Sequence, residues 1–407
     1  MSTSRIFHNT VAHFARGLDL AFASTALRPS ARTRKSSRAE SLGPPARLRA
    51  LSMIDAFYNA PDALTVPGHF FPRPTPIAPT VSRVRGLADG GEVLDLRWPS
   101  QFEPLWSLER LRTRLATLSD EEREAFGLRA DTDAAALLRE LGIDQGSSLP
   151  EKYARLKANA TAHARWFRHP GAPRTCAVLL HGYLGGTFPI EERVLPVRRL
   201  YEGGFDVALT VLPFHGPRRS EARGFLPPAF PSSDPRFTIE GFRQLVSDHQ
   251  GLFDYLRAQG APGIGLMGMS LGGYSASLLA TLETRLRFAV LFIPLAAIED
   301  FAFDHGRMSG SDTEQAAQRA GLRAAQRPIS PMSRPALIEP GRVAVIAGEA
   351  DRVTGLAQAE RLAVHFGTHV SRFAGGHLLH VGRETAFAPV WSMLSRDGWL
   401  EAGGRGL

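Results

Sequence analysis

Residues 263–283, GIGLMGMSLGGYSASLLATLE, constrain the fold most: an apolar run enters Gly268-Met269-Ser270-Leu271-Gly272 and leaves directly as an apolar helical pattern. A chain passes from strand to helix this abruptly only where the turn residue accepts a strained backbone and the flanking side chains are absent. Gly268 and Gly272, two positions either side of Ser270, meet that demand and present the serine hydroxyl at the C-terminal edge of a sheet. The competing reading is a glycine-rich turn whose serine only caps the following helix.

The sheet that such a turn requires is legible from residue 160 onward. Short apolar runs at 163–168, 175–181, 205–212, 263–269, 288–293, 342–347 and 368–373 alternate with helical stretches at 193–203, 240–259, 271–284 and 355–366. That alternation predicts a mostly parallel sheet with helices on both faces. Upstream the texture changes: residues 105–142 read as helices, with Ser119 placed to cap one, and the Pro-rich stretch 67–79 reads as a draped connection. The sequence thus divides into a basic tail with an amphipathic helix (1–50), a helical and Pro-rich extension (51–160) and an α/β unit (161–396). A helical, Pro-interrupted insertion at 299–336 lies where it could form a cap over one sheet edge, and the helices of 105–142 could form part of it.

Composition excludes several function classes. The 407 residues carry a formal charge of +8, but the first fifty hold nine Arg and Lys against Asp19 and Glu40, so the rest of the chain is nearly neutral. The high isoelectric point therefore belongs to a tail, not to a nucleic-acid-binding face. One cysteine, Cys176, sits in an apolar run, which excludes an intramolecular disulfide framework and points to a buried structural thiol. HExxH and Cys-rich spacings are missing, so neither a metal nor another cofactor is expected. A secretory pattern and an apolar run long enough to span a bilayer are also missing, which points to the cytoplasm. The amphipathic pattern at 5–27 and its positive charge make either packing on the protein's own body or peripheral membrane contact an expectation.

A neutral serine is a weak nucleophile. It needs a histidine base, and the histidine needs a carboxylate to hold its tautomer. After Ser270, the strand-like VAVIAG is followed by EADRVT, which brings Glu349 and Asp351 to a strand end, with Asp351 the better placed. The run THVSRF ends in AGGHLLH, where His377, flanked by glycines, can swing over the sheet edge, and His380 is the alternative. Taken alone, each of these would be an ordinary turn acid or structural histidine. Upstream, TCAVLLHGYLGGTF ends a strand in a glycine-rich loop whose backbone N–H groups could face a developing oxyanion. Leu271 and Tyr183 are the expected donors, with Gly182 beside them.

HG-x-x-GG, GMSLGG, GEADRV and GGH in this order resemble the α/β-hydrolase superfamily over about residues 160–396. The resemblance implies a serine hydrolase acting on a small-molecule or lipid carboxylic ester through Ser270, His377 and Asp351. Two other uses of the fold stay open: acyl transfer or peptide cleavage by the same residues, and a non-catalytic binding protein. LPFHGPRRS at 212–220 also resembles a turn motif of the abhydrolase-domain-containing-eighteen subfamily of presumed lipid hydrolases. Its Arg218 and Arg219 could meet a substrate phosphate or carboxylate, or else pair with nearby acids such as Glu221.

Overall fold

A computed structural model describes residues 15–20, 43–60, 62–129, 131, 133–141, 143, 148–220 and 227–400. Nine strands form one sheet: β1 (Thr80–Gly86), β2 (Glu92–Pro99), β3 (Thr161–Arg168), β4 (Cys176–Leu180), β5 (Asp206–Thr210), β6 (Ile264–Met269), β7 (Leu286–Phe292), β8 (Val343–Gly348) and β9 (Val370–Phe373). Their spatial order is β1-β2-β3-β5-β4-β6-β7-β8-β9. The strands from β5 to β9 run parallel, and β1, β2 and β3 join them by antiparallel pairing. With the serine turn on the central β6, this is the α/β-hydrolase fold.

Sequence alternation decides which helices cover which face. Along β4, Val178 and Leu180 point into one apolar cluster while Ala177 and Leu179 point into the other, as period-2 geometry dictates. The first face is covered by α1 (Pro44–Tyr58), α2 (Pro235–Ala258) and α3 (Leu271–Ala280). The second is covered by shorter helical pieces that contribute Leu195, Leu200, Phe387 and Val390. Strands closed on both faces need apolar side chains at every position, and β4 is buried throughout. Cys176 is a free, buried thiol of that strand.

The expected division at residue 160 requires correction. Residues 51–160 were expected to be helical and Pro-rich, yet they supply β1 and β2, which extend the sheet. Leu94 and Leu96 of β2 join the main core, while β1 is exposed along its whole length. The extension is also pinned from the other side. Tyr58 Oη donates to Glu240 Oε1 on α2 at 2.7 Å, the same oxygen accepts the N–H groups of Leu105 and Trp106, and Arg243 pairs with Glu240 Oε2 at 2.6 Å. A buried carboxylate with four donors would be costly to leave unpaired, so the extension belongs to the body of the protein.

Between β7 and β8 the chain rises into α4 (Ile298–Asp304) and α5 (Asp312–Ala325). Ser311 opens α5 with a capping box to Glu314. Asp300 binds Arg319 and Arg323 of α5, and also Arg361 of α6 (Gly355–His365), so the insertion is tied to the sheet-covering layer. α5 in turn packs along α1. Of the basic tail and its amphipathic pattern, only residues 15–20, which are helical and rest on the body, and 43–50, which run into α1, are among the described residues. Among the described residues, no helix is long and apolar enough to cross a membrane.

Candidate active site

Ser270 stands between β6 and α3 with φ 56° and ψ −114°, a backbone conformation that side-chain-bearing residues rarely adopt. The glycines around it are forced by contact. A Cβ on Gly268 would lie 2.0 Å from the carbonyl oxygen of Gly272, and one on Gly272 would lie 2.2 Å from that of Leu180. The turn is held from outside as well, since the Ser270 N–H donates to the Phe292 carbonyl at 2.9 Å.

Three side chains distant in sequence meet here. Ser270 Oγ lies 2.9 Å from His377 Nε2, and His377 Nδ1 lies 2.9 Å from Asp351 Oδ2. The hydroxyl therefore donates to Nε2 when Nδ1–H donates to the carboxylate. Asp351 is fixed by its own loop: Oδ1 accepts the N–H groups of Val353 and Thr354 at 2.8 and 2.9 Å. Thr354 Oγ1 lies 2.9 Å from Asp351 Oδ2 and 3.3 Å from His377 Nδ1. Sequence reading passed over this threonine, although an acid followed by Thr three residues later is a recognisable side-chain-to-backbone turn.

Ser270, Asp351 and His377 are 8, 6 and 9 % exposed, so their charges act in a poorly screening interior. Burial pushes the Asp351 carboxyl up, but the His377 charge, its hydrogen bond and the loop N–H groups outweigh that and hold the pKa at about 2. Burial pulls the His377 imidazolium down, and here too the opposing influence prevails. The charge and hydrogen bond of Asp351, with the charge of Asp19, leave its pKa above the ordinary histidine value.

The alternatives separate cleanly. Glu349 is exposed on the outside of the turn. His380 points its Nε2 at the His377 carbonyl oxygen, 2.8 Å away, and packs edge-on against Phe292, so it supports the backbone of His377 rather than facing Ser270. Burial first, then the neighbouring Arg383 and His377, lowers its pKa to about 4.

Gly182, Tyr183 and Leu271 border the cavity into which Ser270 opens. Gly182 is close enough to the serine that a Cβ on it would lie 3.4 Å from Ser270 Cβ. Leu271 begins α3, so its N–H precedes the first intrahelical acceptor. The loop's shape depends on His181, whose Nδ1 lies 2.7 Å from the Gly182 carbonyl oxygen while Nε2 accepts the Leu212 N–H at 3.1 Å. Glu191 Oε1 accepts the N–H of Gly186 at 2.9 Å.

Arg218 decides between its two expected roles in favour of an ion pair. It was a candidate for meeting a substrate anion, but it is buried away from the cavity, pairs with Asp248 at 2.8 Å, and donates to the carbonyls of Val211 and Asn159. Its role is to fasten the loop after β5 to α2. Arg219 is half-buried and does not border the cavity either. Glu221 lies outside the described residues.

The cavity measures about 1150 Å³. Its walls come from the sheet edge, from α1 (Ala50, Leu51, Ile54) and from the insertion (Ile298, Phe301, Ala302, Met308, Leu322), which makes them largely apolar. Arg193 and Arg383 stand at its border together with the Asp234–Arg236 pair. The contribution of α1 was invisible in the sequence, where the insertion and the helices at 105–142 were expected to form the cap; none of the described residues of 105–142 borders the cavity. Among the described residues, no group of three or more His, Cys, Asp or Glu is arranged to hold a metal ion.

No family model matches the chain. Two uncharacterised proteins from two strains of Mycobacterium tuberculosis are each 34% identical to it over 255 residues, which is 60% of this chain and 59% of theirs. The chain thus spans about three fifths of the length of these relatives. Among solved structures it is similar to an acetyl xylan esterase from Paenibacillus (13% identity, 79% of this chain and 89% of that one, TM-score 0.48). An acetyl xylan esterase from Thermoanaerobacterium is also similar (15% identity, 86% and 97%, TM-score 0.44), as is an esterase of Pyrococcus furiosus (14% identity, 58% and 87%, TM-score 0.40).

Proposed function

We propose, taking the α/β-hydrolase fold of this chain as premise, that it is a serine hydrolase cleaving carboxylic esters through an acyl-enzyme. The observation that carries the reading is the continuous chain of contacts Ser270 Oγ, His377 Nε2, His377 Nδ1 and Asp351 Oδ2, with both links at 2.9 Å. His377 takes the serine proton as Oγ attacks the ester carbonyl, and Asp351 stabilises the imidazolium that forms. The N–H groups of Leu271 and Tyr183 face the oxyanion of the tetrahedral intermediate. The intermediate collapses, His377 returns the proton to the departing alkoxide, and the alcohol leaves. Water, deprotonated by the same imidazole, then attacks the acyl-serine and releases the acid.

The apolar walls of the cavity favour an ester with an extended apolar acyl group, because each buried methylene gains roughly 0.8 kcal/mol on leaving water. α1 and the insertion act together as the cap over that group. A panel of p-nitrophenyl esters of graded chain length tests this reading. Turnover is expected to rise with chain length, to disappear in Ser270→Ala and His377→Ala, and to persist at a reduced level in His380→Ala. Full turnover by Ser270→Ala would contradict the mechanism, and loss in His380→Ala with retention in His377→Ala would overturn the choice of base.

A further inference from the structure

We propose that Asp19, carried on the N-terminal segment, is a positioning residue of the active site, its carboxylate tying the loop that bears His377 to the loop that bears Asp351. The inference rests on the serine-hydrolase reading. Asp19 Oδ2 accepts the N–H of His377 at 2.7 Å and that of Arg352 at 3.1 Å, while Oδ1 accepts the N–H of Leu378 at 3.0 Å. One side chain, 358 positions from His377 in sequence, therefore satisfies amides on either side of the imidazole–carboxylate pair. Asp19 is completely buried.

The histidine loop is built to receive this carboxylate. A Cβ on Gly376 would lie 2.5 Å from Asp19 Oδ2 and 3.1 Å from its Cγ, so the residue before the histidine must be glycine for the acid to dock. Gly375 is needed for a different reason, since a Cβ there would lie 2.1 Å from the Leu379 carbonyl oxygen within the same loop. The two glycines of GGH thus divide their work: one permits the loop's own fold and the other admits a group from the far end of the chain.

Placement matters because the acid and the base sit on separate loops after β8 and β9. A shift of either loop by a fraction of an ångström lengthens the hydrogen bonds on which proton transfer depends. The carboxylate also bears on the imidazole electrostatically. The charged and titratable groups near His377 include Asp351 and the exposed Arg352 on the acid loop, Asp19 on the N-terminal segment, His380 and Arg383 farther along its own segment, and Arg193 and His305, which border the same cavity. Of these, Asp351 and Asp19 favour the imidazolium. Removing the Asp19 charge while keeping its shape therefore lowers the pKa of His377.

The test uses the full chain with Asp19→Asn, Asp19→Ala and Gly376→Ala. Two readouts are taken: the pH profile of ester turnover, and the His377 ring pKa from an NMR titration. In all three variants kcat is expected to fall by on the order of 10-fold, with KM nearly unchanged. The His377 pKa, and with it the acid limb of kcat/KM, is expected to move to lower pH. Unchanged kcat and an unchanged His377 pKa would overturn the proposal. So would a loss of activity that follows lowered thermal stability while the His377 pKa stays in place, because that is the behaviour of a merely structural contact. If the wild-type protein turns over no ester, it is the hydrolase reading that fails, and the NMR titration still decides whether Asp19 bears on His377.

Discussion

At the scale of single residues, the site depends on one imidazole being treated differently from its neighbours. His181, His249 and His380 are pulled down to about 4 chiefly by burial, which strips water from a positive charge; Asp248 near His249 and Asp351 near His380 offset this only weakly, and no carboxylate hydrogen-bonds any of the three rings. His377 is also buried, yet its pKa lies above the ordinary value, because Asp351 touches it. A base must be neutral to accept a proton, so activity is lost as the pH falls through this raised pKa. The acid limb of the kcat/KM profile is therefore expected above pH 6.5, the ordinary histidine value. A limb near pH 4 would instead point to one of the other histidines. This contrast follows from where each ring lies, and no property of the residues HLLH in isolation distinguishes 377 from 380.

At the scale of elements, legibility followed how local the physical signal is. The serine turn, the strands that enclose it and the acid on the loop after β8 were readable because each is written in contiguous residues: apolar runs, glycines fixed by close approach, and an acid at a strand end. β1 and β2 were missed although the run VRGLADGGEVLDL carries a hairpin signal, two alternating stretches around Asp-Gly-Gly. A connection at 67–79 and helices at 105–142 were expected, and the run between them was given no element. For Arg218 the sequence left a substrate anion and a nearby acid both open, and it could not name the acid. Its partner Asp248 is on α2, 30 residues away, and an arginine beside a turn looks alike in sequence whether it faces solvent, substrate or a buried acid. Arg218→Leu is expected to destabilise the fold by about 3–5 kcal/mol, since it strands Asp248 without a counter-charge. The pattern of ester preference should be preserved in whatever fraction folds. Denaturant unfolding with the ester panel checks both, and an altered preference at unchanged stability would restore Arg218 to the substrate.

At the scale of the whole molecule, the described residues of the N-terminal third are part of the body that holds the candidate site. They add two strands to the sheet, lend α1 to the wall of the cavity and deliver Asp19 beneath the histidine loop. The β2–β3 pairing spans 62 to 76 positions of sequence, and the contacts of α1 and Asp19 span more than two hundred, which explains why those last two were not visible before the fold was known. Convergence of Ser270, His377 and Asp351 is the same kind of long-range fact, and the central claim is that it makes Ser270 a nucleophile. The direct measurement is labelling of the native protein with a fluorophosphonate, followed by peptide mass spectrometry. One adduct on Ser270 is expected, lost when the protein is denatured beforehand and lost in Ser270→Ala. A natively folded protein that stays unlabelled, or carries the adduct on another serine, would contradict it.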